Sequence, residues 1–426
     1  MRRSLGTGLV LLSFLVGSAA SSAAAQTFDA TTRTVTVAPS GGDDTLALRT
    51  AFDVCQAVGP GCTVQLTAGT FRTRQIEVWG FDGTFVGAGM DATVIETLAP
   101  LPISPPDLDV LQRSGDREGS PVLLTFRDPH MRLRDMTVRN SAATATVGWR
   151  FGGRRVSALW GLLLLEGTSI RVDVERIAVE AAPGSFEGLS VLHAMWVSGL
   201  EEFPGGPVAP MTGTVSIRDS RIRGAYAGVL VSNAEGLTVA IRDSEIDGQE
   251  EAVWLGSVGS SMVEVRGNDL TARGAAVVGM GYRPQGRVAG GPTTLVLTDN
   301  VLRAVGGDRR ARAFVLNDAA PIASQFALVA NNTFELAGGA AVGGAGEGLI
   351  VRDNRITGRA EHGIVVGGGP AAAFATGWVV VGNDMSELVT SREPIAILPL
   401  ARGTMVVCGS PTEVLDTGVG SILACD

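Results

Sequence analysis

VSIRDSRIRG (215–224), VAIRDSEIDG (239–248), VEVRGNDLTA (263–272), LVLTDNVLRA (295–304), ALVANNTFEL (327–336), LIVRDNRITG (349–358) and WVVVGNDMSE (378–387) share one template. It reads apolar-x-apolar-x-polar-Asn/Ser-x-apolar, and MRLRDMTVRN (131–140) and VDVERIAVEA (172–181) are weaker copies. Alternation puts Val215 and Ile217 inward and Ser216 and Arg218 outward, so each copy opens with a short strand. The sixth position reads Ser220, Ser244, Asn268, Asn300, Asn332, Asn354 and Asn383. Asn tolerates left-handed backbone in a tight turn, and stacked Asn side chains hydrogen-bond along a column. A ladder of this kind at a strand-to-strand bend is what one coil of a parallel β-helix requires.

Working outward, a second strand follows each turn: GVLVS (228–232), AVWLG (252–256), AVVGM (276–280), AFVLN (313–317), GIVVG (363–367) and PIAIL (394–398). The connecting segments are Gly-rich and too short for crossover helices, which excludes a doubly wound fold. A sandwich or barrel leaves the Asn column without a reason. The expected fold is therefore all-β, a single-stranded right-handed parallel β-helix in which each repeat packs only on its neighbours. Nine or ten coils at ~4.8 Å give a rod of ~45 Å. Its ends are bare sheet edges. Residues 45–58 carry apolar positions at helical spacing, with Asp43 or Asp44 as N-cap, and form the natural lid of the first coil.

The first 25 residues read as a secretory signal. Arg2 and Arg3 precede a mostly apolar run from Gly8 to Val16, and Ala23-Ala24-Ala25 offers a cleavage site before Gln26. No apolar run reaches the ~20 residues that span a bilayer. The product is expected to be secreted or periplasmic, with residues 26–426 as one domain. Four cysteines in two close pairs, Cys55 with Cys62 and Cys408 with Cys425, fit an oxidising compartment. Three pairings are open, and the near-neighbour one is favoured. Zinc fits less well, because neither pair has C-x-x-C spacing and only three His exist. All cationic side chains are Arg. The net charge of −9 falls to about −11 once the signal leaves, which argues against nucleic acid as a partner. A monomer is expected.

DDTLALRTAFDVCQAVGPGCTVQLTAGTF (43–71) resembles the opening of pectate-lyase-like β-helix proteins, and GTFVGAGMDATVIE (83–96) resembles their next coil. With the repeats, the resemblance covers most of the mature chain. It implies the fold, and it implies a substrate groove along the strand after the Asn turn. Activity stays open, because that superfamily includes lyases, hydrolases, epimerases and proteins of no known reaction. On the implied groove an outward column reads Trp196, Leu230, Trp254, Val278, Val315, Val365 and Ala396. Its two Trp can stack on sugar rings or can support an overlying loop such as 199–213. Beside it lie Glu250, Glu251, Asp247, Arg273, Tyr226 and His193. Paired carboxylates near an Arg can act as acid and base or hold a hard cation such as calcium. They can equally be a solvated loop.

Specific family motifs are incomplete. Glu250-Glu251 and His362-Gly363 echo polygalacturonase-like hydrolases, but the Arg-x-Lys of that group cannot occur without Lys. The groove column lacks the acidic ligands and basic residue of pectate lyases. Asp128-Pro129-His130 resembles the Asp-Pro-His of alginate-type C5-epimerases, yet it precedes the strand at Met131 and misses the groove strand. Arg134, Arg218, Arg242, Arg266 and Arg352 form another outward column whose Asp neighbours offset their repulsion. That column is a salt-laced face or a strip for acidic polysaccharide. No G-x-S-x-G elbow or phosphate loop is present. The expected function is a carbohydrate-active or carbohydrate-binding β-helix protein, possible chemistry resting on Glu250, Glu251, Arg273 and His193, with Trp196, Trp254 and Tyr226 binding substrate. The alternative is a non-catalytic extracellular scaffold binding a cell-surface polymer.

Overall fold

The computed structural model describes residues 25–98, 122–141, 148–151, 154–157, 159–182, 191–201, 208–281, 291–306, 312–317, 326–367, 374–409 and 412–425. The signal segment therefore lies outside the described residues, as do 101–121 and the tip of 199–213. Strands dominate, and one continuous sheet winds through the molecule. Among the described residues, eleven successive coils carry a strand on each of three faces, one or two more than the repeat count suggests. The extra coils are the first two, opening at Cys62–Leu66 and Asp82–Val86, where the template is too degenerate to recognise.

The first face stacks the template strands in register. Val172 lies beside Val215, Val215 beside Val239, Val239 beside Val263 and Val263 beside Leu295. The second face is a short strand directly after the turn, such as 221–223 against 245–247. The third face carries the GVLVS strand and its equivalents. The two-strand reading of each repeat thus becomes three strands, because the turn residues and the short strand after them had been read as one bend. Inward Val, Ile, Leu and Phe from all three faces fill one continuous core.

The ladder at the first bend is formed as the sequence suggests. Asn300 donates from its backbone N–H to Asn332 Oδ1 (3.0 Å), and its Nδ2 donates to Asn332 Oδ1 (3.0 Å) and Val265 O (2.9 Å). Asn268, Asn332 and Asn354 repeat the pattern, and Ser244 N–H joins it through Asn268 Oδ1 (2.9 Å). The left-handed residue is not the Asn, however. It is the one before: Asp219 (φ 52°), Asp243 (48°), Asp299 (59°), Asn331 (56°) and Asp353 (54°), with Gly at 267 and 382. Asp, Asn and Gly tolerate that region best. The ladder Asn stays in ordinary backbone so that its amide can aim along the rod.

At the first end, Gln26–Asp29 pairs antiparallel with Thr34–Val37 and occupies the edge of that strand. The only α-helix among the described residues is Thr45–Val58. Asp43 Oδ1 accepts from Thr45 N–H (3.0 Å), while buried Asp44 accepts from Ser40 N–H (2.7 Å) and Arg72 N–H (3.0 Å). The helix buries Leu48, Ala51, Phe52 and Cys55. The Phe52 ring sits 5.1 Å from Phe81, 5.0 Å from Phe85 and 5.6 Å from Phe126. Cys55–Cys62 ties the helix to the first-face strand Cys62–Leu66, and Cys408–Cys425 ties Met405–Val407 to the last strand, Ile422–Ala424. The near-neighbour pairing is the one formed.

Candidate functional site

The third face is built on a local irregularity that recurs coil after coil. Ala194 and Met195 both enter the core, as do Ala252 with Val253, Val277 with Val278, and Ala313 with Phe314. Two consecutive inward residues break the simple alternation. One outward line therefore runs His193, Ala227, Glu251, Ala276, Arg312 and Ala340. The next outward line runs Leu164, Trp196, Leu230, Trp254, Gly279, Val315, Gly343, Val365 and Ala396. Val278, read from the sequence as outward, instead lies beside Val253 in the core line, and Gly279 holds the place next to Trp254. The inward pair shifts the alternation by one, which period-two reading of a five-residue strand does not register.

Gly279 has a steric reason to be there. A Cβ at 279 would sit 2.1 Å from Cζ3 of Trp254, so the indole lies across the bare backbone of the following coil. Two coils earlier, Trp196 donates from Nε1 to Ser232 Oγ (2.9 Å), and Ser232 donates to Ser198 Oγ (3.1 Å). The imidazole of His193 meets the Trp196 ring at 5.4 Å, tilted by 55°. Leu230, held between the two Trp in their line, is 2% exposed, whereas both Trp are half-buried. Coils stand ~4.8 Å apart, so the two indoles are spaced by roughly 10 Å along the rod.

Arg312 enters the same surface from the His193 line. Its guanidinium lies over Gly343, whose Cβ would fall 3.0 Å from Arg312 Nε, and burial pushes its pKa below the ordinary guanidinium value. Nearer the first end, Arg127 reaches Glu77 (2.6 Å) and the buried Glu166 (3.1 Å), with Trp79 stacked at 4.7 Å. Neither Arg312 nor the Arg127 cluster stands out in the sequence. Aligning the strands on their inward apolar pairs, instead of on single alternation, would have set Arg312 on the His193 line.

The four candidate catalytic residues do not converge. Glu251 is buried on the His193 line, one coil separating the two. Glu250 turns away and accepts a hydrogen bond from Ala275 N–H of the next coil (3.0 Å). Arg273 forms a two-point pair with Asp247 (2.6 and 3.2 Å), whose hydrogen bond raises the guanidinium pKa. Half-buried Tyr226 lies one residue before Ala227, at the edge of the face. Glu250 and Arg273 are thus engaged at the corner, while Glu251, His193, Trp196 and Trp254 share the face. Among the described residues no three His, Cys, Asp or Glu side chains group as metal ligands. No described helix is long and apolar enough to cross a membrane.

The remaining motifs fall elsewhere. Asp128 occupies the turn before His130–Arg139 with φ 46°, and its Oδ1 accepts from Thr168 N–H (2.8 Å). His362 Nδ1 lies 2.7 Å from Glu393 O. The outward Arg column is laced with acids: Arg218 to Glu175 (2.7 Å), Arg242 to Glu264 (2.6 Å), Arg266 to Asp299 (3.0 Å) and Arg352 to Asp353 (2.6 Å). Leu200–Glu201 pairs antiparallel with Val208–Ala209.

No protein-family model matches the chain, and no curated protein matches it in sequence. Solved structures do match. The A-module of a mannuronan C-5 epimerase from Azotobacter vinelandii superposes with TM-score 0.51 at 13% identity, over 90% of this chain and 96% of that one. A DFA-IIIase from Arthrobacter chlorophenolicus A6 gives 0.56 at 12%, over 89% and 96%. The Dettilon tailspike protein gives 0.51 at 10%, over 89% of this chain and 64% of the tailspike. At these identities the likeness concerns the fold alone.

Proposed function

We propose that this right-handed parallel β-helix is of the pectate-lyase-like class and that its third face binds carbohydrate. The observation that carries the reading is the pair Trp196 and Trp254, in one outward line two coils apart, with Gly279 clearing a bed for the second indole. An indole face offers the apolar platform on which the C–H face of a pyranose stacks; Arg312 supplies a polar contact beside it, while Ser232 and Ser198 hold the Trp196 indole in place. The fold neighbours act as a mannuronan epimerase, a DFA-IIIase and a tailspike by their names, which favours saccharide partners. If the face is also catalytic, Glu251 is the acid or base, since of the candidate carboxylates it is the one on the line beside Trp254. Glu250 and Arg273 serve the corner. Export under the signal at 1–25 fits the two disulfides, and helix Thr45–Val58 then shields the open first coil outside the cytoplasm.

A non-catalytic scaffold is the second reading. It is favoured by the closure of the line beyond the tryptophans, where Val365 is 7% and Ala396 0% exposed.

The test is titration of the mature protein against neutral and acidic polysaccharides, with reducing-end release measured in parallel. Trp254→Ala is expected to weaken binding at least tenfold while circular dichroism stays unchanged. Glu251→Gln is expected to abolish any release, and Glu250→Gln to leave it intact. Equal affinity of wild type and Trp254→Ala for every polymer would end the proposal.

A further inference from the structure

The first face changes character along the rod. Its central outward line reads Arg132, Asp173, Ser216, Ala240 and Glu264 through the first half. It then continues as Val296, Leu328, Ile350, Val379, Met405 and Ile422 to the last coil. Six successive coils thus point an aliphatic side chain at solvent. Ile350 is 39%, Met405 38% and Ile422 65% exposed. The flanking outward lines extend the patch. Thr298, Val381 and Val407 lie on one side, and Phe326, about half exposed, on the other. Gly348 lets the Phe326 ring lie flat, because a Cβ there would stand 2.8 Å from the ring. Arg352 is the one charge among these positions, and it is held by Asp353 at 2.6 Å.

The fold does not demand this. The same line in the first half is polar with identical strand geometry, so the aliphatic half serves something other than the core.

We propose that this patch is the contact between two copies of the chain, stacked face to face with their rods antiparallel. Three features select a second copy. The patch is flat, self-similar from coil to coil and free of net charge, its one Arg352 being paired with Asp353, so it complements itself, and sheets stack face to face at ~10 Å. Its extent, about six coils by three outward lines, removes on the order of 1,000 Å² from the two copies together, at the lower limit of a specific interface. The antiparallel arrangement leaves the charged half of the face in water. A parallel one would strip solvent from Arg132, Asp173 and Glu264. The two-fold axis then passes between Ile350 and Val379, the middle of the line. The dimer replaces the monomer expected from the sequence.

Sedimentation velocity over a concentration series tests this on the mature chain. The wild type is expected to shift from one to two copies in the micromolar range. Ile350→Glu is expected to raise the dissociation constant at least tenfold with an unchanged circular dichroism spectrum, and Ser216→Glu, on the polar half, to leave it alone. Should Ile350→Glu misfold, Val379→Cys keeps the test open, since symmetry-related thiols facing each other across sheets ~10 Å apart near the axis are expected to be joined by a bismaleimide cross-linker of that span. A wild type that stays single at all concentrations overturns the proposal. So does failure of Val379→Cys to cross-link, or a single copy that binds phosphatidylglycerol vesicles through Ile350, which would hand the patch to a membrane.

Discussion

Asn300 shows how much one buried amide carries here. It donates to Val265 O, Thr298 O and Asn332 Oδ1 and accepts from Asn268 N–H and Nδ2 at 2.9 and 3.0 Å, while 2% exposed. Replacing it by Ala orphans buried donors and acceptors in the two adjacent coils, each costing about 1–3 kcal/mol. Asn300→Ala is expected to destabilise by roughly 2–4 kcal/mol in urea denaturation, whereas Asn383→Ala, near the end of the ladder and less buried, is expected to cost less. Equal effects would deny that the ladder acts as a chain of bonds. The ladder was legible from the Asn spacing alone. Its left-handed partner was not, because Asp occurs as often on exposed sites as in turns.

At the scale of elements, the last coils depend on a staple. Met405–Val407 pairs with Ile422–Ala424, beyond which no described strand follows, and Leu423 is 44% exposed although it continues the inward line of Val406. A terminal coil packed on one side buries too little apolar surface to hold itself. A disulfide closing a loop of 17 residues restricts the unfolded tail by about 3 kcal/mol in the chain-entropy view. Cys408→Ser with Cys425→Ser is therefore expected to leave the main melting transition within a few degrees while hydrogen exchange at 405–407 and 422–424 becomes fast. A uniform loss of protection along the rod would contradict that locality. Helix Thr45–Val58 was equally legible from the sequence, since its apolar spacing and the acidic pair before it are local signals.

For the whole molecule, each coil touches only its neighbours, so stability is a sum of coil and interface contributions. The longest uninterrupted strands lie between Met211 and Gly259, and the ladder is filled by Asn from Asn268 to Asn354. Urea unfolding is expected to proceed in more than one step, with 239–265 the last amides to exchange. A single coincident transition by fluorescence, circular dichroism and exchange would show instead that the rod is one cooperative unit.

The sequence by itself determined the coil: its period, the inward positions of the template strand, the Asn column, the start helix and the favoured cysteine pairing. Each is local or repeats, and repetition turns a weak period-two pattern into a strong one. Tertiary structure alone decided which outward residues meet. Two consecutive inward residues slip the third-face strands by one, moving Val278 into the core and setting Arg312 on the line of His193 and Glu251. Connections of unequal length hide that register from any reading along the chain. Glu250 looks like a partner of Glu251 because it adjoins it in sequence, and Arg273 because it falls one coil later. They are taken by Ala275 and Asp247 instead, because in a solenoid the nearest neighbour of a side chain belongs to the next coil.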